Sequence, residues 1–475
     1  MRYIQGIDRD QMTLLPEVLD DYISKENPVL FIDAYIDSLD PVRFGFTHSE
    51  PKEKGRMPYN PADLLKLYVY GYLNRIRSSR RLDKATYQNI ELMWLLRRLH
   101  PDFKTIADFR KDNLQPIKKV CRDFTLLCKK LNLFGCELIA IDGSKFSAVN
   151  HNHRCFTKKK LMEILKAIDA RINSYLNELD RTDLIESDVK DPSKEHLKAE
   201  IDELRARRKK YENVKEQIDK SGKSQISLTD PDSRMMKDSS GTDVGYNLQI
   251  VTDSKHKLIV DHKVTNEATD DGQLFDMAIK AKEILDVDRL EAIADAGYYS
   301  RDDIMKCGDE RITCYVPTYN SSKNKKAGLY TKDDFYYNQD KDCYTCPAKQ
   351  NLAHHHDTKH QGKEVKVYRT QACSSCFLKA NCTRAQNGRV IRRWVHEKVI
   401  DDMEERALTI PVKMDMRKSL VEHPLGTIKH WMVHDYFLMR GFEKVSAEMS
   451  LSVLCYNLKR VLNIVDFKKL MAVIA

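Results

Sequence analysis

The sequence predicts an α/β protein preceded by an all-helical N-terminal domain, and three observations carry that reading. Apolar residues recur at three- and four-residue spacing from Asn60 to about Leu133. From Glu137 onward, short β-rich runs alternate with helical stretches, the pattern of a sheet covered by helices. Two segments of different texture, one of charged helical stripes and one rich in cysteine, interrupt that alternation.

The helical region reads ADLLKLYVYGYLNRIR, KATYQNIELMWLLRRL and KTIADFRKDNLQPIKKVCRDFTLLCKKL, with Ser78, Ser79 and Pro101 at its breaks. Charge is uneven: residues 1–50 hold 4 Lys/Arg against 10 Asp/Glu, whereas 51–140 hold 19 against 9. We therefore expect an acidic segment over 1–50 and a helical domain over 51–135 that meets a phosphate backbone. Arg75, Arg77, Arg80 and Arg81 crowd the first break, and Lys104, Arg110 and Lys111 flank the last helix, so these are the expected DNA contacts.

ELIAIDGSKF is a strand ending at Asp142 and Gly143. Leu161, Ile164, Leu165, Ile168, Ile172, Leu176 and Leu179 form one helical stripe. Leu197, Ile201, Leu204, Tyr211, Val214 and Ile218 form another, which predicts an antiparallel helical hairpin over 157–220. GYNLQIVTDSKHKLIVDHKVT then alternates apolar and polar residues about a turn, a β-hairpin. Helix QLFDMAIKAKEILD, strand LEAIAD and strand ITCYVPTY complete an α/β core over 136–320. Residues 321–400 are an insert, and 401–475 are helices that return to the core.

No apolar run approaches the roughly 20 residues that cross a bilayer, and MRYIQGIDRDQ has no apolar signal segment, so a cytoplasmic protein is expected. Thiols stay reduced there. Of the 12 cysteines, Cys343, Cys346, Cys373, Cys376 and Cys382 fall in one short stretch. Cys346, Cys373, Cys376 and Cys382 have zinc-knuckle-like spacing and predict a structural metal site, most simply zinc, with an iron–sulfur cluster as the alternative. His354, His355, His356 and His360 read as solvated residues of a polar loop.

Asp142 and Asp295 each close a short apolar strand with glycine within two residues. Either alone reads as a turn former; together they put two carboxylates at strand ends of one sheet, where sites in α/β proteins lie. Glu422, in KSLVEHPLGTIKHW, is either a third carboxylate or the acid of a capping box with Ser419. Three oxygen ligands suit Mg²⁺ or Mn²⁺.

AIDGSKF, GYNLQIVTD, VTNEATDDGQL, ADAGYYS and VEHPLGTIK, in this order, resemble the DDE transposases of bacterial insertion sequences over nearly the whole chain. The resemblance implies a ribonuclease-H-like mixed-sheet core behind a helical DNA-binding domain. It implies that Asp142, Asp295 and Glu422 hold two divalent ions about 4 Å apart, which activate water and then a DNA 3′-hydroxyl. It implies double-stranded DNA partners, both terminal inverted repeats and target, and a homodimer as the active assembly. The family's Tyr-x2-Arg-x3-Glu-x6-Lys signature fits at Glu422 and Lys429, where the lysine grips a phosphate. It departs at Asp415 and at Lys418, a cation without bidentate geometry, next to Arg417. A regulator that binds DNA without cutting it, and a zinc-dependent binding module, are the competing expectations.

Overall fold

The computed structural model describes residues 18–50, 57–150, 154–183, 192–222, 224–238, 241–318, 326–409 and 411–474. Three helices near the N-terminus start alike. Asn27, Asp40 and Asn60 each accept a backbone N–H two residues on at 2.9 Å, and proline follows at the first helical position, where it has no N–H to lose. These caps launch Pro28–Asp37, Pro41–Phe44 and Pro61–Leu73. The last is buried along its whole length, as a helix apolar on every side must be. It packs between Pro28–Asp37 and the C-terminal helix Phe442–Ile464. Its lysine, Lys66, is held by Asp33 at 2.6 Å and Asp37 at 2.7 Å.

Two expectations about domains change here. Residues 28–44 are not a separate acidic segment, because Val29, Phe31, Ile32, Tyr35 and Ile36 are core residues and two of the acids neutralise Lys66. The helical region is also not set apart from the sheet. One apolar cluster runs from Phe31 and Tyr68 through Ile141 and Leu248 to Leu454 and Tyr456.

The strands are β1 (Leu138–Ser147), β2 (Cys155–Thr157), β3 (Gln225–Ser227), β4 (Arg234–Asp238), β5 (Gly241–Asp253), β6 (Ile259–Thr265), β7 (Leu290–Ile293) and β8 (Ile312–Tyr315). Six of these make a mixed sheet in the order β4-β5-β1-β7-β8, with β6 also on β5. β5 is antiparallel to β1, β4 and β6, whereas β1, β7 and β8 run parallel. Leu274–Leu285 and Arg301–Asp309 link β6 to β7 and β7 to β8, as the alternation of textures predicts.

β2 and β3 pair with each other and carry the helical hairpin, Lys158–Asp183 and Pro192–Ser221. Leu161 meets Val214 and Ile218 at its base, while Ile168 and Ile172 meet Ile201 and Leu204 farther along, so the helices are antiparallel. The linker expected between them lies partly outside the described residues. The cysteine-bearing segment is a second sheet of β9 (Tyr336–Asn338), β10 (Cys343–Thr345), β11 (Asn351–His360), β12 (Lys363–Arg369) and β13 (Ile391–Trp394). The four histidines stand on β11 rather than in a loop, all of them exposed. Helix Pro411–Gly426 returns to the main sheet, where Leu420 and Val421 pack on Leu138, Ala140, Ile293 and Tyr315. Among the described residues no helix is long and apolar enough to cross a membrane.

Candidate active site

The last parallel pair between β1 and β7 is Ala140 opposite Ile293. Asp142 and Asp295 each lie two residues farther on, and residues two apart in extended chain share a face. The two carboxylates are therefore level, on the side where Leu420 and Val421 cover Ala140 and Ile293. One detail differs from the sequence expectation. β7 ends before Asp295, whose side chain accepts the Gly297 N–H at 2.8 Å and caps the turn Ala296–Tyr298. β1 does not end at Asp142, because it stays paired with β5 as far as Ser147. Asp142 is a mid-strand residue and Gly143 is no turn former.

Burial pushes the Asp142 carboxyl up to about 6. The Arg417 guanidinium and the Gly143 N–H oppose that rise, and the Asp295 and Asp270 charges add to it. Arg417 is only loosely engaged, at 3.4 Å from Asp142, against about 2.8 Å for a strong charge-assisted bond. It is Arg417, not Lys418, that this helix turns toward the acid; Lys418 is exposed.

Glu422 rides the same helix but is exposed, and among the described residues its side chain makes no hydrogen bond or ion pair. The capping-box reading fails, because the helix begins at Pro411 and the Ser419 hydroxyl donates to the Met416 carbonyl within it. Glu422 and Lys429 do not share one α-helix. The α-helix stops at Gly426, a π-turn spans Thr427–Trp431, and the Lys429 ammonium lies 4.8 Å from the centre of the Phe146 ring.

Asp270, from the loop after β6, was not singled out in the sequence as an acid of interest. It accepts hydrogen bonds from Asn247 and Gln249, both at 2.7 Å. The signal that could have found it is the pair of polar residues in β5, which are wholly buried instead of facing solvent.

The basic residues divide. Arg75, Arg80, Arg81, Lys104 and Lys111 are exposed, with Lys111 paired to Asp108 at 3.1 Å and Asp112 at 3.6 Å. Arg77 and Arg110 are not available to DNA: each is 6% exposed. Arg77 donates to the Val433 carbonyl, the Tyr436 carbonyl and Glu448, and Arg110 donates to the Tyr72 hydroxyl. A buried glutamate claims them, a partner no local spacing reveals.

Cys346, Cys373, Cys376 and Cys382 line one small cavity, whereas Cys343 is buried in β10. The Gln350 N–H donates to the Cys346 sulfur at 3.3 Å. Gly388, with φ of +81°, lets the chain pass where a Cβ would stand 3.1 Å from the Cys373 sulfur. Among the described residues no three His, Cys, Asp or Glu side chains converge closely enough to hold a metal ion as they stand. The donor chemistry nevertheless matches two kinds of ion: hard carboxylates at Asp142 and Asp295, soft thiols around the cavity.

A family described as a transposase domain matches residues 17–112, and one described as a transposase DDE domain matches 345–462. No curated protein matches the chain. A solved structure, the cryo-EM structure of a piggyBac transposase synaptic complex with hairpin DNA, aligns over 94% of this chain and 79% of that one. Its identity is 9% and its TM-score 0.33.

Proposed function

We propose, from the premise that a chain carrying a transposase domain and a transposase DDE domain is a DDE transposase of the insertion-sequence kind, that it binds element ends, cuts them and joins the 3′-hydroxyls to target DNA. The observation that carries the chemical part is the level pair of Asp142 and Asp295 beyond the Ala140–Ile293 register. The strand order β6-β5-β1-β7-β8, antiparallel on one side of β1 and parallel on the other, supports reading the core as ribonuclease-H-like.

Asp142 and Asp295 would hold Mg²⁺ or Mn²⁺, with Glu422 as the third acid. The bound ions supply Lewis-acid stabilisation of the phosphodiester and an activated hydroxyl. The chain's own part is to present preset carboxylates. The Gly143 N–H fixes Asp142 at 2.8 Å, the Gly297 N–H fixes Asp295, and the loose Arg417 contact leaves Asp142 free to exchange partners. Lys429, beside Phe146 at the end of β1, is proposed to meet the phosphate near the cut. Arg75, Arg80, Arg81, Lys104, Lys111 and Lys418 are proposed to meet the DNA backbone, and a homodimer to form the active assembly.

Asp142→Asn and Asp295→Asn should abolish Mg²⁺-dependent nicking of a labelled element end while end binding in a gel-shift assay persists. Wild-type nicking by either variant rejects the reading. Loss of nicking by the wild-type protein, with binding retained, would instead favour the regulator.

The four cysteines are proposed to hold one structural zinc, with the Gln350 N–H supporting the Cys346 thiolate. Such an ion contributes folding free energy on the order of 10 kcal/mol. Elemental analysis should give one zinc per chain, and chelation should expose the 326–396 region to protease. Metal-free protein with that region intact rules the site out.

A further inference from the structure

We infer that Asp270 is a further carboxylate ligand of the divalent-ion site, held in place by Asn247 and Gln249; this rests on the reading of Asp142 and Asp295 as metal-holding acids. Its two oxygens have different lives. Oδ1 takes the Asn247 and Gln249 amide donors and lies 3.6 Å from the Lys145 ammonium. Oδ2 accepts no hydrogen bond among the described residues. Oδ2 lies on the Asp295 side, because a Cβ built on Gly297 would stand 3.0 Å from Asp295 Oδ1 and 3.6 Å from Asp270 Oδ2.

Both glycines that follow the aspartates keep this space open. A Cβ on Gly143 would lie 2.6 Å from Asp270 Oδ1 and would collide with the Gln249 amide. Neither glycine has a positive φ, so each is explained by close approach rather than by a turn. The same space holds an independent sign of a ligand. Asn247 is 0% exposed, its Oδ1 has no hydrogen-bond partner, and that oxygen lies 3.1 Å from the Gly143 Cβ position. A buried carbonyl oxygen without a donor costs about 1–3 kcal/mol, and a cation or its bound water beside Asp270 would relieve it.

Asp270 is also steadied from behind. Gln249 Oε1 accepts from the buried Tyr298 hydroxyl, and Tyr298 belongs to the turn that Asp295 caps. Displacing Asp270 would thus disturb a chain of contacts running from β5 to the second aspartate. The stretch VTNEATDDGQL finds its use here: its first aspartate reaches back over β1.

The test is Mn²⁺ binding to the full chain by isothermal titration calorimetry, with thermal melts as the folding control. Asp270→Asn keeps an oxygen for Asn247 and Gln249 but removes the charge at the free position. It should weaken Mn²⁺ binding roughly 10- to 100-fold without lowering the melting temperature. Gly143→Ala changes no charge and should cost affinity by pushing Asp270 aside. If Asp142→Asn loses Mn²⁺ affinity while Asp270→Asn binds it as the wild type does, the inference is overturned and the underlying reading stands. If neither the wild type nor any variant takes up Mn²⁺, both fall together.

Discussion

Two clusters of charge, one buried and one half-buried, are treated in opposite ways. At the junction between the helical region and Phe442–Ile464, Glu448 is 0% exposed and surrounded by donors: Arg77 at 3.0 Å, the Leu438 and Met439 N–H groups at 3.0 Å, and Arg110 at 4.0 Å. At the end of the β1–β7 pair, burial and the Asp295 and Asp270 charges raise the cost of ionising Asp142, and only the loose Arg417 and the Gly143 N–H answer it. Compensated charge holds the molecule together. Under the proposed reading, the weakly compensated charge at Asp142 is where a divalent ion would bind.

The sharpest way to break this contrast is at the junction. Arg77→Ala strips Glu448 of its nearest cation and also frees the Val433 and Tyr436 carbonyls, so it should destabilise the fold by about 3–5 kcal/mol. Urea melts measure it. DNA affinity per folded molecule should be unchanged, in contrast to Arg80→Ala or Arg81→Ala, which should weaken binding and steepen no melt. A surface role for Arg77, with little loss of stability, would undo the comparison.

Asp142→Asn should move stability the other way. A carboxyl held near 6 in the folded chain, against about 4 unfolded, costs stability while it is ionised. That cost is fully present above pH about 6 and disappears as pH falls toward about 4, so the variant's advantage should shrink in acid. Its size at neutral pH is on the order of 2 kcal/mol, reduced by the partial exposure of the site. Gain of stability together with loss of nicking is the signature of a functional acid. Lower stability at pH 7 would mean that Asp142 is as well compensated as Glu448.

Much of the architecture was legible because it is local. Strand–helix alternation, the two stripes of the helical hairpin and the spacing of the four cysteines each depend on residues near one another in the chain. What escaped depends on distance. Arg77 and Glu448 are 371 positions apart, so four crowded arginines read as one basic patch when one of them points inward. Asn247 and Gln249 sat on what alternation marked as the wet side of a hairpin, yet Leu274–Leu285 and Asp270 cover that side. The two aspartates were singled out partly on a turn reading that the structure does not share at Asp142. Their glycines looked like turn residues, whereas Gly143 sits mid-strand and makes room for another acid.

Glu422 belongs to neither cluster, and that makes it the finest test of the contrast. It is exposed in the middle of a helix, where glutamine has nearly the same helix preference as glutamate, so Glu422→Gln should change stability by less than about 0.5 kcal/mol. Neither a melt nor a pH profile of stability should register it. Nicking is another matter. As the third acid, Glu422 need not touch Asp142 beforehand, since ion and DNA together can draw an unhindered side chain inward from a helix already seated on the sheet by Leu420 and Val421. Nicking should then collapse although nothing in the fold depended on the charge. If Glu422→Gln nicks normally while Asp270→Asn does not, the acid that completes the centre is the one anchored by β5, and the exposed glutamate is a surface charge after all.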